Sequence, residues 1–504
     1  MKKYLRLFLK RLTSFWKSQY GESTMSNEIS RREFIVRSTT ALTAIPFLRL
    51  FGNPVLQPGD KLPNIILIYT DDLGYGDVGV FGAKGFKTPN IDKLADNGIV
   101  FKDYYSAAPT CTPSRAALLT GCYPVRVGLP FVVGPKGPDW TKGKDNIGLS
   151  SDETTIASML KEKNYTTGCI GKWHLGDMKE FLPTRHGFDY FFGLPYSHDM
   201  VKALNPKWPD LPLIENENTV ELNPDASLLT KRYTEKTLSF IDRNKDHPFF
   251  LYLAHNMPHI PLFASEKFKG KSERGIYGDV VEEIDWSVGE IVKKLKEENL
   301  YDNTIVIYTS DNGPWLIYGD HSGSAGNLRE GKFTTFEGGQ REPCIISWPA
   351  KIPKGVVSNK TFSAIDFLPT IAAITNAQLP TQKIDGKNAL ALWEDKPGAT
   401  SPHEALFFYA EYDLQAVRWK NWKLHFKHKY DSVKVPGKDG NQGISVGKEI
   451  DLSLFDLTND PEENINLAGK HPDIVKIMTD IAKNFDEELK RNARPCGVVK
   501  GSND

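Results

Sequence analysis

Cysteine is scarce in this 504-residue chain, and the five present, Cys111, Cys122, Cys169, Cys344 and Cys496, are scattered. No CxxC pair exists to hold a metal, and the spacing does not form a disulfide framework. Net charge is missing as well, since 63 Lys and Arg balance 63 Asp and Glu. That removes any global attraction for nucleic acid or anionic lipid, so affinity for an anion has to be local. No internal repeat is visible, and no apolar run is long enough to cross a bilayer as a helix. What remains is an ordinary globular composition, 40% hydrophobic and 25% charged. The length exceeds one ordinary core, so a large domain with a smaller companion is expected.

Residues 1–56 are expected to be an export leader outside the fold. Ser30-Arg31-Arg32-Glu33-Phe34-Ile35 resembles the twin-arginine signal of bacteria, and a weakly apolar stretch, Ala41 to Phe51, follows it. An amphipathic helix with an incidental Arg-Arg pair is the competing reading. Lys2 to Lys17 adds a basic segment with interspersed Leu and Phe, and Met25 is an alternative start. No lipobox cysteine follows. The signal therefore implies passage through the twin-arginine translocase to the periplasm, without stable membrane insertion.

From Asn64 the pattern alternates strands and helices. Asn64 to Thr70 is an apolar run suited to a strand buried on both faces. Thr166–Ile170, Phe249–Ala254, Thr304–Tyr308 and Cys344–Trp348 are further strand candidates. Helices are expected over Ile91–Gly98, from Thr154 after a cap at Ser151, and over Asp279–Glu298, where apolar residues recur at helical spacing. This alternation argues for a mainly parallel sheet flanked by helices, with ligands outside the carboxyl ends of the strands. The texture changes after about Pro397. Short strand-like runs at Leu406–Tyr409, Ala416–Trp419 and Trp422–Phe426 precede a Gly/Lys-rich loop, Val435 to Gly447. A helix over Pro472–Arg491, with Ile474, Ile477, Ile481 and Phe485 on one face, closes the chain. Residues 57–397 are thus read as a catalytic α/β domain and 398–504 as a small α+β domain with an antiparallel sheet.

Chemistry-bearing residues gather at the expected strand ends. Asp71-Asp72 follows the first strand, and adjacent carboxylates beside an apolar strand are tolerated mainly where a cation neutralises them. The bland alternative is a solvated turn. Asp311-Asn312-Gly313 ends another strand in the same way, although Asn-Gly alone reads as a hairpin turn. Together they offer three carboxylates and an amide oxygen, a set that suits Ca²⁺ or Mg²⁺ better than zinc. Lys172 and His174 stand two apart, on one side of an expected extended segment, in Gly171-Lys172-Trp173-His174-Leu175-Gly176, which lacks the glycine spacing of a P-loop. His255 to Pro261, containing His259, and Gly331 to Gly339, containing Lys332, complete the cations; singly, each is an ordinary surface loop. Cys111 opens a helix that Pro113 stiffens and Gly121 ends, so its sulfur sits where the helix N-terminus favours negative charge. A small buried hydrophobe is the bland alternative.

The string from Cys111 to Gly121 carries a cysteine, a proline, an arginine and a closing Thr-Gly, and it resembles the signature of the formylglycine-dependent sulfatases. In that family the motif cysteine is oxidised to an aldehyde before folding, which implies a formylglycine-generating enzyme as maturation partner. Each segment above resembles its counterpart in the family, in order, over roughly Asn64 to Leu467. Tyr196-Ser197-His198-Asp199 and the Thr-Thr-Phe-Glu-Gly-Gly run point to the arylsulfatase A and galactosamine-6-sulfatase branch. The resemblance implies an alkaline-phosphatase-like α/β fold with a mixed sheet. It implies Ca²⁺, or Mg²⁺, on Asp71, Asp72, Asp311, Asn312 and the residue made from Cys111. Lys172, Lys332, His259 and Ser197 would meet the sulfate, and Arg115 with the metal would activate the attacking hydroxyl. His174 would assist the proton removal that regenerates the aldehyde, and His259 would protonate the leaving oxygen. The expected activity is hydrolysis of a sulfate monoester of a small molecule or glycan. A formylglycine-dependent phosphonate monoester or phosphodiester hydrolase is the enzymatic rival. A non-catalytic sulfated-glycan binder with a Cys111 thiol is the other. Specificity is expected from the loops Phe131–Ile147 and Tyr196–Pro224.

Overall fold

Seven uncharged residues, Asn64–Thr70, form the first strand, β1, and all of them are buried. The structure, a computed structural model, describes residues 61–499, so the expected leader lies outside the described residues. Further strands follow at Ile99–Phe101 (β2), Thr166–Lys172 (β3), Tyr190–Leu194 (β4), Pro212–Glu215 (β5) and Asn218–Leu222 (β6). Phe249–Ala254 (β7), Thr304–Ser310 (β8), Cys344–Ser347 (β9) and Val356–Ser358 (β10) complete a ten-stranded sheet, ordered β10-β2-β9-β8-β1-β7-β3-β4-β5-β6. The five central strands, β8 to β4 in that order, run parallel. Toward the edges the sheet turns antiparallel at β9 and at the β5–β6 hairpin, so it is mixed.

Alternate residues of β1 feed two cores. Ile65, Leu67 and Tyr69 join helices Cys111–Thr120 (α2), Ile156–Lys161 (α3) and Phe367–Thr375 (α6) on one face. Ile66 and Ile68 join Pro89–Asp96 (α1), Leu229–Asn244 (α4) and Ile276–Glu297 (α5) on the other. This is the doubly covered arrangement that an uninterrupted apolar strand requires. The α3 cap is Thr155 in place of the expected Ser151: its side chain accepts from Ser158 N–H while Ser158 returns a bond to the Thr155 backbone. The Tyr196–Pro224 region, expected as loop, contains β5 and β6, in a hairpin whose outer strand is largely exposed.

The C-terminal part holds a four-stranded antiparallel sheet of Ala405–Ala410 (β11), Asp413–Trp419 (β12), Trp422–His425 (β13) and Ser453–Asp456 (β16). Between them His428–Val435 (β14) pairs with Ile444–Ile450 (β15). The expected Gly/Lys-rich loop is therefore mostly the tip and return strand of a hairpin. The final helix, Pro472–Arg491 (α7), has the expected bounds but a rotated buried face. Met478, Ala482 and Leu489 are buried with Tyr123 and Val125, Ile474 and Ile481 pack partly buried against the same core, Phe485 stacks on Phe407 at 3.7 Å, and of the expected face Ile477 is exposed.

A buried charge network ties this sheet to the loop before β9. Lys423 on β13 is sealed from solvent and donates to Glu337 Oε1 at 2.9 Å, with Glu463 Oε1 at 3.2 Å. Burial works against the Glu337 charge, but Lys423, Arg341 and Arg418 outweigh it and hold that carboxyl down at about 2. Lys423→Met leaves two carboxylates buried without their shared cation. The expected loss is about 3–5 kcal/mol of stability, read as a lower urea midpoint with unchanged slope.

Candidate active site

The carboxyl ends of β1, β3, β7 and β8 meet above α2, as the crossover geometry of a parallel sheet dictates. Asp71 and Asp72 leave β1, and Asp72 takes a left-handed backbone (φ 63°) that turns its N–H to Asp311 Oδ1 at 3.1 Å. Asp311 is anchored in turn by its N–H to Thr70 O at 3.1 Å. Asn312-Gly313 is no hairpin. A Cβ on Gly313 would lie 1.9 Å from Gly338 O, so only glycine lets the Glu337–Gln340 helix pass this close.

Cys111 is the first residue of α2, and its Sγ donates to Asp71 Oδ1 at 3.4 Å. One turn on, the fully buried Arg115 forks onto Asp311 Oδ2 through Nε (3.1 Å) and Nη2 (2.7 Å), and its Nη1 donates to Lys172 O at 3.0 Å. Lys172 Nζ meets Asp71 Oδ2 at 2.5 Å, and Lys332 Nζ meets Asp72 Oδ2 at 2.8 Å. His259 Nδ1 donates to Ile260 O at 2.6 Å, which leaves its Nε2 facing Asp72 Oδ2 at 3.6 Å. His174 does not continue an extended segment as expected: its φ is 59°, and its Nε2 donates to Val133 O at 2.9 Å. That leaves His174 Nδ1 buried with no hydrogen bond.

These residues surround a cavity of about 560 Å³, lined by Cys111, His174, Ser197, His259 and Lys332. The loops expected to carry specificity contribute Phe131, Trp140, Lys144, Met200 and Trp208 to its wall. All eleven residues expected from the sequence are thus brought together. Asp199, Tyr252 and Glu342 were not singled out. Asp199 lines the cavity, Tyr252 Oη accepts from Arg115 at 3.4 Å, and Glu342 is buried with both oxygens unpaired. Position 199 was visible in the Tyr-Ser-His-Asp run; nothing local marked the other two.

Charge is close to balance. Burial opposes the Asp71 charge, yet Lys172, His259, Arg115 and Lys332 hold its carboxyl well below the usual range. Asp311, buried and repelled by Asp71 and Asp72, is pushed up to about 7 despite Arg115. Burial, aided by Lys332, keeps His259 below the ordinary imidazole range, and burial with Lys172 does the same to His174. Burial also drives the Cys111 thiol far above its ordinary range, although Lys172 and Lys332 pull the other way. The helix N-terminus therefore does not make a thiolate here, contrary to the argument from its position alone.

The donor set fits a hard divalent cation. Asp71, Cys111 and Asp311 each offer an atom within 4.8 Å of the others, and Asn312 Oδ1 is buried with no partner while its Nδ2 donates to Asp72. An orphaned amide oxygen among mutually repelling carboxylates is what an oxygen-ligated ion would satisfy.

A family model described as sulfatase matches residues 63–377, and a second, the C-terminal region of aryl-sulfatase, matches residues 401–500. The chain belongs to the sulfatase family. It is 41% identical to bovine (Bos taurus) arylsulfatase A over 467 residues, covering 84% of this chain and 89% of the relative. It is 39% identical to pig (Sus scrofa) N-acetylgalactosamine-6-sulfatase over 453 residues, covering 85% and 86%. Among solved structures, the PsFucS1 sulfatase from Pseudoalteromonas sp. superposes with a TM-score of 0.77 at 29% identity, covering 94% of this chain and 97% of that one. The protein is thus a sulfatase, an enzyme of sulfate monoester hydrolysis, and the reading as a non-catalytic glycan binder is set aside. Among the described residues no helix is long and apolar enough to cross a membrane.

Proposed function

We propose that this sulfatase cleaves an aryl or carbohydrate sulfate at residue 111, matured to formylglycine, with Ca²⁺ or Mg²⁺ on Asp71, Asp72, Asp311, Asn312 and residue 111. The observation that carries the reading is the meeting of Cys111 with Lys332, His259, His174 and Ser197 in one cavity, backed by the carboxylates. Formylglycine supplies an attacking oxygen and a route to release sulfate that an unactivated thiol lacks. The ion supplies Lewis-acid stabilisation and offsets the carboxylates.

The remaining roles belong to the chain itself. Lys172 and Lys332, which pair with Asp71 and Asp72, would present ammonium donors to the sulfate oxygens once those carboxylates hold an ion. Ser197 Oγ, buried and without a partner, is free to donate to one of them. Arg115 fixes Asp311 and the Lys172 carbonyl at once, which positions the attacking group of residue 111. His259 has its Nδ1 proton committed to Ile260 O, so Nε2, which faces Asp72, is the nitrogen that takes up a second proton and, from the resulting imidazolium, delivers it to the leaving oxygen. His174 is committed at Nε2, so Nδ1 is the free base beside residue 111. A formylglycine-generating enzyme would act in maturation and the twin-arginine translocase in export to the periplasm. The two family matches support a catalytic domain over 57–397 and a small domain over 398–504.

Intact-mass measurement tests the reading: the active protein should weigh about 18 Da less than its encoded mass, a covalent change. Cys111→Ala should cost roughly 10⁴-fold or more in kcat/KM on sulfate esters with the fold intact. Active protein carrying a plain thiol defeats the reading.

Chelation should lower the melting temperature and added Ca²⁺ should restore it, since an ion bound only to the native state stabilises by about 2.7 kcal/mol at a hundred times Kd. In Asp311→Ala the shift should vanish, which differential scanning calorimetry would read independently of turnover.

His259→Ala separates leaving groups. A sugar hydroxyl needs a proton to depart and should suffer roughly 100-fold or more. An activated phenolate needs none and should lose far less. Equal losses on both esters would reassign His259.

A further inference from the structure

One carboxylate in the substrate cavity has no task in the reaction described above. Asp199 lies two residues beyond Ser197 and lines the same cavity as Cys111, His259 and Lys332. Burial opposes its charge, yet His259, His198 and the Ser197 hydroxyl hold its carboxyl below the usual range, while its Oδ1 is closed off from solvent and accepts no hydrogen bond of good geometry. A buried acceptor left unsatisfied costs about 1–3 kcal/mol. Here it also repels the anionic ester that the cavity must hold, so retaining it without a counterpart on the substrate works against binding.

A sulfate monoester group has no hydrogen to donate, and neither does a plain aromatic ring. A hydroxyl on the carbon next to the ester does. The same cavity offers the complementary surface: Trp140, 47% exposed, meets Trp208 edge-on at 5.6 Å, and both line the cavity with Met200. Flat apolar faces that cover ring C–H groups, with a carboxylate to take hydroxyl hydrogens, make a surface for a sugar ring.

We propose that Asp199 is a specificity-determining residue that accepts a hydrogen bond from the hydroxyl neighbouring the sulfated carbon, so that the enzyme selects sulfated sugars. The proposal rests on residue 111 as the reaction centre, and it names the substrate class of that site. A site built around such a bond rejects substrates that lack the hydroxyl, because the acceptor is then buried unpaired.

The test uses the mature enzyme and a set of hexopyranose 2-, 3-, 4- and 6-sulfates; a preference for the 6-sulfate, whose neighbouring C5 bears the ring oxygen and no hydroxyl, overturns the proposal. The best of them is compared with its deoxy analogue, which lacks the hydroxyl next to the ester. Wild type should favour the parent by ten- to hundredfold in kcat/KM, the range of a hydrogen bond to a charged group. In Asp199→Ala that ratio should fall to about one, and in Asp199→Asn, which keeps the shape and a neutral acceptor, it should lie between. The ratio is internal to each variant, so a general loss of activity cancels. A wild-type ratio near one, or a ratio unchanged in Asp199→Ala and Asp199→Asn, overturns the proposal. A residue that only positions His259 gives the second result, with both esters slowed alike. Failure of the catalytic reading is distinct: wild type would then hydrolyse neither the sugar esters nor 4-nitrophenyl sulfate.

Discussion

Crowding of negative charge at the end of the central strands is the constraint on which the rest of the site depends. Asp71, Asp72 and Asp311 are buried together, with the Asp72 N–H bonded to Asp311, and no carboxylate set of this density persists in a low-dielectric interior without cations. The chain answers with Arg115 from α2, Lys172 from β3 and Lys332 from the loop beyond β8. Each reaches the cluster from a different element, so the charge balance itself fixes how helix, sheet and loop meet. The residual strain shows in Asp311, which is still pushed up to about 7.

Much of this was legible from residue order alone. The buried strands declared themselves through runs such as Asn64–Thr70, and acidic or basic residues directly after such runs were legible as site residues because strand ends converge. The Cys111–Gly121 string was legible as a family signature, and the helix it forms ends at Gly121 with φ 68°. What escaped has a common physical cause. His174 and Asp72 owe their directions to left-handed backbone, which period-two alternation cannot anticipate in a non-glycine residue. The rotated face of α7 depends on what Tyr123 and Phe407 present to it, a tertiary fact. The hairpins at β5–β6 and β14–β15 each have an exposed strand, β6 and β15, with little apolar contrast, so nothing in its composition distinguishes strand from loop.

The C-terminal sheet is more than an appendage. Lys423 and His425 on β13 bind Glu463, and Lys423 also binds Glu337, which opens the short helix whose glycines press against Gly313. Arg418 on β12 meets Asp103 and Tyr105, the segment that leads into α2. Two of the elements that carry the site, the loop holding Lys332 and the approach to Cys111, are therefore braced from this sheet by buried ion pairs.

The depth of the Cys111 sulfur carries a consequence in time. Every residue of α2 is buried, and Cys111 lines a cavity of about 560 Å³, the size that holds a small molecule. A protein catalyst that alters this side chain has to do so while the chain is still open. Once the sheet closes over α2 the choice is irreversible on the lifetime of the native state, and two populations of identical fold, one altered and one not, would descend from a race decided during synthesis.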